Sequence, residues 1–212
     1  WNLPIYLFTW KIAPALATGN CVIGKPSELT PMTAYLLSKI CIESDLPSGV
    51  LNIVHGQGDS VGSAIVDHED ISAISFTGGT KTGKTILKSC ANQFKKTSLE
   101  MGGKNPAIVY ADCDFNKTIS ELVRSSFTNQ GQICLCSSRI LIEKTIYNKF
   151  KSEFIRKTNT LIVGDPMDDK SNLGAVISED HLNKILGYIK LAESENGTVL
   201  CGGNLVNIDG EN

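Results

Sequence analysis

Apolar positions along this chain recur first at helical spacing and then in short β runs, and the two textures take turns. From Trp1 to Ala17 the apolar residues read as a helix, with Pro4 tolerated in its first turn and Gly19-Asn20 as its stop. A β run, Cys21 to Gly24, follows, and Pro26-Ser27-Glu28 turns out of it. Thr30 is placed to cap the next helix and Pro31 to open it, with Leu36, Leu37, Ile40 and Cys41 at helical spacing. The cycle repeats with the strand Val50 to Val54, a Gly56-x-Gly58 turn, a helix from Ser60 to Val66 and the strand Ala73 to Phe76. A helix from Lys81 to Ala91 and the strand Lys96 to Leu99 complete the series. Strands alternating with helices at this spacing predict βαβ units and a parallel α/β sheet with right-handed crossovers. Ligands of such sheets bind beyond the carboxyl ends of the strands.

At Met101-Gly102-Gly103 the texture changes, and a domain boundary is placed near Gly102 on pattern alone. The second α/β segment begins with the strand Pro106 to Tyr110 and a helix from Phe115 to Phe127. A Gly131 loop carrying Cys134 leads to the strand Arg139 to Glu143 and a helix from Ile146 to Thr158. Gly164-Asp165-Pro166 makes a turn, Ser178 caps a helix reaching Glu195, and Thr198 to Leu200 reads as a last short strand.

Composition narrows the function classes. With 212 residues and 42% hydrophobic content the chain can bury a proper core, as one large domain or two small ones. A net charge of −2 with scattered lysines leaves no electrostatic footprint for nucleic acid. Seven cysteines, an odd number without a C-x-x-C pair, read as free thiols in a reducing, cytoplasmic compartment. Lys11, Pro4, Pro14 and Gly19-Asn20 interrupt the apolar run Leu3 to Ile23, which argues for a buried helix and strand and against a membrane span. Three scattered histidines supply no ligands to go with Cys134 and Cys136, so no metal is expected. Trp1 enters what reads as the middle of an element, so the chain reads as a fragment of a longer protein.

Several motifs carry candidate chemistry. Gly78-Gly79-Thr80-Lys81-Thr82-Gly83-Lys84-Thr85 fits the G-x-x-x-x-G-K-[ST] phosphate-loop pattern between a strand and a helix, which alone is an NTPase reading. What any phosphate ligand would share here is two glycines opening a helix, where backbone N–H groups and the helix dipole favour an anion. Lys25 and Glu28 lie just past a strand end, where a carboxylate can accept from two ribose hydroxyls and repel a 2′-phosphate, which favours NAD over NADP. Cys134 in Asn129-Gln130-Gly131-Gln132-Ile133-Cys134 and Glu100 in Leu99-Glu100-Met101-Gly102-Gly103 are a thiol and a carboxylate suited to covalent catalysis followed by hydrolysis. Taken singly, a cysteine in apolar surroundings is inert core and a strand-end glutamate is surface. Their value lies in the joint pattern.

That pattern resembles the aldehyde dehydrogenase superfamily. Leu99 to Pro106 and Asn129 to Cys134 are flanked by Trp1-Asn2-Leu3-Pro4, Gly24-Lys25-Pro26-Ser27-Glu28 and Phe76-Thr77-Gly78, in the family's order and over essentially the whole chain. The resemblance implies an NAD-dependent oxidation of an aldehyde to a carboxylic acid, through a cysteine thiohemiacetal and thioester. It makes Cys134 the nucleophile, Asn2 and the Cys134 N–H the oxyanion donors, and Glu100 the base that activates water. Lys25 and Glu28 match the adenosine-ribose residues, while Gly58, Phe76, Gly78, Gly79, Gly83 and Gly102 match the cofactor-contacting turns. Residues 1–101 are then a partial Rossmann-like NAD-binding domain and 102–212 a partial catalytic domain carrying the cysteine. Gly79 stands where many relatives have serine, so a hydroxyl contact to the pyrophosphate is absent, and Lys84 has no catalytic counterpart.

Within the superfamily, Ile133 to Arg139 and Trp1 to Ala17 look most like 2-aminomuconic semialdehyde dehydrogenases, which implies a semialdehyde substrate and a homo-oligomeric parent, dimer or tetramer. The family also implies segments this chain lacks, including a first βαβ unit and a nicotinamide-ribose Glu, so the fragment alone is expected to be inactive. Two alternatives stand beside this reading: the phosphate-loop NTPase, which explains one motif, and a catalytically inactive relative, which would be expected to have lost Cys134 or Glu100.

Overall fold

Leu3 turns the chain into its first helix through a left-handed backbone (φ 43°, ψ 62°), and Pro4 opens α1 (Pro4–Ala17), where its missing N–H costs nothing. In the computed structural model, which describes residues 1–208, internal contacts divide the chain into two units, Trp1–Gly102 and Gly103–Asn212. Each is taken by itself.

In the first unit, α1 ends where the backbone and side-chain N–H groups of Asn20 both donate to Ala15 O (3.0 and 3.1 Å). β1 (Val22–Gly24) then pairs in parallel with β2 (Leu51–Ile53). The helix lies so close on β1 that a Cβ at Gly24 would stand 2.7 Å from the tip of the Phe8 ring, which the glycine leaves room for. α2 (Met32–Glu43) differs from expectation at its start. Pro31, not Thr30, is the N-cap residue, and the Thr30 N–H donates to Ser27 O (3.2 Å) in the preceding turn. The helix expected from Ser60 is also divided: Gly58–Gly62 forms a π turn and α3 spans only Ser63–Asp67. Glycines at both ends of that turn weaken the α ladder.

β3 (Ala73–Gly78) pairs in parallel with β4 (Lys96–Met101), in register from Ala73↔Lys96 to Gly78↔Met101, across α4 (Thr80–Ala91). Among the described residues the parallel ladder is thus built in separate pairs, each closed within its own βαβ unit. One face of β3–β4 carries Ile74, Phe76 and Leu99 into a core with Val66, Ile86 and Cys90. The buried Lys95 donates from Nζ to Val66 O (2.6 Å) and His68 O (2.5 Å), pairing carbonyls at the end of α3.

In the second unit β5 (Asn105–Val109) and β6 (Ser137–Ile142) pair in parallel with a register shift between Asn105 and Pro106. α5 (Phe115–Phe127) is capped by Asp114, whose side chain accepts from Lys117 N, and α7 (Glu179–Ser194) by Ser178, which accepts from His181 N. α6 (Tyr147–Thr158) brings Phe150 into the core with Val109 and Ile119, where its ring meets Phe115 edge-on and stacks on Phe154, both at 6.0 Å. Thr198 to Leu200 is not a strand. Gly197 N–H bonds back to Ala192 O (2.7 Å), and no described strand pairs with the residues that follow. No described helix is long and apolar enough to cross a membrane.

Candidate active site

The first unit gathers the residues matched to a dinucleotide. Lys25, one residue past β1, is largely buried and donates from Nζ to Pro26 O (2.9 Å) and to Gly56 O (3.0 Å). Its ammonium also lies 3.5 Å from Glu28 Oε2. One lysine thereby ties Glu28 to the Gly56-Gln57-Gly58 turn. Glu28 is held below the ordinary carboxylate range, first by a hydrogen bond from its own backbone N–H and then, against partial burial, by Lys25. At the next turn β3 ends at Gly78 and α4 begins at Thr80, with Gly79 as an N-cap that offers no side chain. A Cβ at Gly79 would meet nothing within 4 Å, and no side chain caps the first N–H groups of α4. Phe76 packs against Gly78, where a Cβ would run into its ring. Gly83 is buried inside α4 against Met101, and Gly102 follows β4 in open space.

The phosphate-loop pattern falls almost entirely within one helix. Thr80 to Thr85 all lie inside α4, so there is no loop between strand and helix to wrap a phosphate. Lys84 is an exposed helix residue.

Glu100 stands on β4 opposite Thr77, exposed, on the face of β3–β4 that does not enter the core. Strand alternation puts Ser75 on that same face, and Lys11 of α1 reaches it, Nζ donating to Ser75 Oγ at 3.0 Å. Burial pulls the Lys11 amine below the ordinary lysine range, and the Glu100 charge opposes that pull. Lys11 is therefore the charged neighbour of Glu100. Asn2, half-exposed, lies immediately ahead of Leu3 and α1.

The second unit holds Cys134. After α5 the backbone runs through three successive left-handed residues, Asn129 (φ 53°), Gln130 (φ 58°) and Gly131 (φ 72°). Such a run costs energy at the two non-glycine positions and persists only where surroundings hold it. Hydrogen bonding orients the Gln130 amide with its oxygen on Gly174 N–H (2.7 Å) and its nitrogen on Asn129 O (2.9 Å). Gln132 accepts from Ile177 N–H at 3.0 Å and donates to Asn129 O at 3.3 Å. Behind the loop, Ser125 and Ser126 of α5 bond Ser137 Oγ (2.8 Å) and Ser137 O (3.0 Å). The result is an exposed Cys134 thiol beside a buried Cys136, neither of them in a strand. Three carbonyls here are held: Ile133 O accepts from Cys136 N–H (3.0 Å), and the Asn105 amide donates to Cys134 O (2.6 Å) and Cys136 O (3.1 Å). The Cys134 N–H makes no hydrogen bond among the described residues.

Sequence reading missed Lys11 and Asn105. A single lysine in an apolar helix was the available signal for the first. For the second the signal was an asparagine before a proline at a strand start.

The aldehyde dehydrogenase family profile matches residues 1–212. The chain is 52% identical over 202 residues to 2-aminomuconic semialdehyde dehydrogenase of Danio rerio, covering 95% of the chain and 42% of that relative. It is 43% identical to 2-hydroxymuconic semialdehyde dehydrogenase of Pseudomonas sp. (strain CF600), covering 100% of the chain and 44% of the relative. Its fold superposes with a TM-score of 0.95 on betaine aldehyde dehydrogenase of Staphylococcus aureus in complex with NAD+, at 38% identity over 98% of this chain and 41% of that one. The chain therefore spans about two fifths of the length of the relatives it matches.

Proposed function

Because the chain belongs to the aldehyde dehydrogenase family, we propose that the protein of which it is part oxidises a semialdehyde to a carboxylic acid with NAD, using Cys134 as its nucleophile. The observation that carries the proposal is an exposed thiol on a restrained turn, with a Cys134 N–H that makes no hydrogen bond among the described residues. Buried structural cysteines have neither property.

The donor set of the first unit fits a dinucleotide. Glu28, ionised and tied to Lys25, suits a ribose diol and repels a 2′-phosphate. The uncapped start of α4 at Gly79 suits a pyrophosphate. Phe76, Gly78 and Gly83 shape that turn by packing, while Gly58 and Gly102 keep their surroundings open to a ligand. NAD supplies the hydride acceptor.

The protein's own residues do the rest. The Cys134 thiolate adds to the aldehyde carbon, and negative charge grows on the former carbonyl oxygen. An unpaired backbone N–H and a side-chain amide are the donors such an oxyanion needs, and we assign them to Cys134 and Asn2. Loss of hydride leaves a thioester on Cys134. Glu100 then takes a proton from the water that attacks the thioester carbonyl, the acid leaves, and the thiolate is restored. Lys11, held on Ser75, supplies the positive charge near Glu100.

Similarity to 2-aminomuconic and 2-hydroxymuconic semialdehyde dehydrogenases supports a semialdehyde substrate of that class. The test is NADH production by the full-length protein from such a semialdehyde. Activity lost in Cys134→Ala agrees with the proposal, and activity retained in it contradicts the proposal.

A further inference from the structure

We infer that Asn105 is a positioning residue for the nucleophile, fixing the peptide that carries Cys134 so that thiol and N–H keep one direction. The inference rests on the reading of Cys134 as nucleophile and adds to it a residue outside the nucleophile loop. A side chain's direction follows from the two peptide planes that flank its Cα, since φ and ψ are the soft dihedrals of the backbone. At Cys134 both planes are held. The Ile133–Cys134 plane is anchored by Ile133 O accepting from Cys136 N–H at 3.0 Å. The Cys134–Leu135 plane is anchored by Cys134 O accepting from Asn105 Nδ2 at 2.6 Å.

The first anchor is local and the second reaches across from another element. Asn105 opens β5 at the register shift, where Asn105 faces Ser137 and the next residue, Pro106, faces Arg139. Pro106 has no N–H to give. The Asn105 side chain, with two N–H groups on one nitrogen, donates from this edge to both Cys134 O and Cys136 O. A side chain with only acceptors or only carbon cannot do this.

Holding the Cys134–Leu135 plane matters because the oxyanion donor sits on the adjoining Ile133–Cys134 plane and shares its Cα, so with both planes anchored neither φ nor ψ of Cys134 can swing the N–H. A donor aimed in advance at the developing charge costs no reorganisation when the carbon is attacked, whereas a donor that swings must be reordered in each turnover. The left-handed residues just upstream make that swing accessible, because the turn relaxes if its restraints are released.

The experiment uses the full-length protein with Asn105→Leu, which keeps the side chain's shape without a donor, and Asn105→Ala. Single-turnover NADH formation reads the acylation half of the reaction, and iodoacetamide labelling of Cys134 reads the thiol alone, because that displacement develops no oxyanion. We expect the single-turnover rate to fall about 10²-fold, the scale of losing one oxyanion donor. Labelling rate and aldehyde KM should stay within about threefold. The inference is overturned if both variants form NADH at the wild-type rate, or if labelling and NADH formation fall by the same factor, which is the signature of a merely structural role. Cys134→Ala run alongside separates the two claims. NADH formation persisting there defeats the assignment of Cys134 itself, whereas a silent Cys134→Ala with normal Asn105 variants defeats only the inference about Asn105.

Discussion

Gln132 offers a quantitative test of how the Cys134 loop is restrained. Its side chain is, beside Gln130, a bond between that loop and the segment leading into α7, accepting from Ile177 N–H at 3.0 Å, and it also donates to Asn129 O at 3.3 Å. Gln132→Ala removes both. The longer bond is weak, and the shorter one is an ordinary neutral hydrogen bond worth about 1 kcal/mol. Its loss also leaves a part-buried Ile177 N–H without a partner, bringing the cost to about 2 kcal/mol. That cost falls on local opening and not on global unfolding, because the phenylalanine core around Phe150 lies on α5 and α6. At 1.4 kcal/mol per factor of ten, the opened loop becomes about thirtyfold more populated. Native-state hydrogen exchange of the full-length protein reads this at the Ile177 amide. Exchange there should accelerate by about that factor, with amides of α6 unchanged and the rate of NADH formation reduced. Unaltered exchange at Ile177, or equal acceleration in α6, would refute the reasoning.

Two further outcomes follow from the first unit. Lys95→Met keeps the length of the stem but deletes the donors to Val66 O and His68 O, and should cost about 2 kcal/mol in urea unfolding; a change under about 0.5 kcal/mol would contradict that accounting. Glu28→Gln should narrow the preference for NAD over NADP about tenfold, read as the ratio of kcat/KM values. Because the folded-state pKa of Glu28 is lowered, its carboxylate stays charged at and above the ordinary carboxylate range and is neutralised only as pH falls through the folded value. The wild-type preference should therefore be flat from about pH 6 to about pH 9, and a Glu28-dependent change inside that window would count against the assignment.

Much of this arrangement was legible in the chain, for reasons that differ from element to element. α1 was visible because Pro4 and Gly19-Asn20 punctuate a dense apolar run, and β3, α4 and β4 because their apolar positions change period at glycines. Thr198 to Leu200 misled because a β-like composition does not supply a partner strand. The phosphate-loop pattern counts residues without asking where the helix starts, and here the helix starts at Thr80. Lys11 and Asn105 were hidden because their value depends on long-range placement. The first depends on which face of β3–β4 carries Ser75 and Glu100, and the second on a register shift at Pro106. Cys134 and Glu100 stand out in the chain only through the company of the other motifs, while a Cys134 N–H that makes no hydrogen bond among the described residues is a property of the folded turn.

The division of labour between Cys134 and Glu100 is tested most directly by intact-mass analysis of full-length Glu100→Gln mixed with NAD and a semialdehyde. One stoichiometric round of NADH followed by a stall is expected, with the acyl group found as a thioester on Cys134. Continuous wild-type turnover without an adduct, or an acyl group on any other residue, would contradict it.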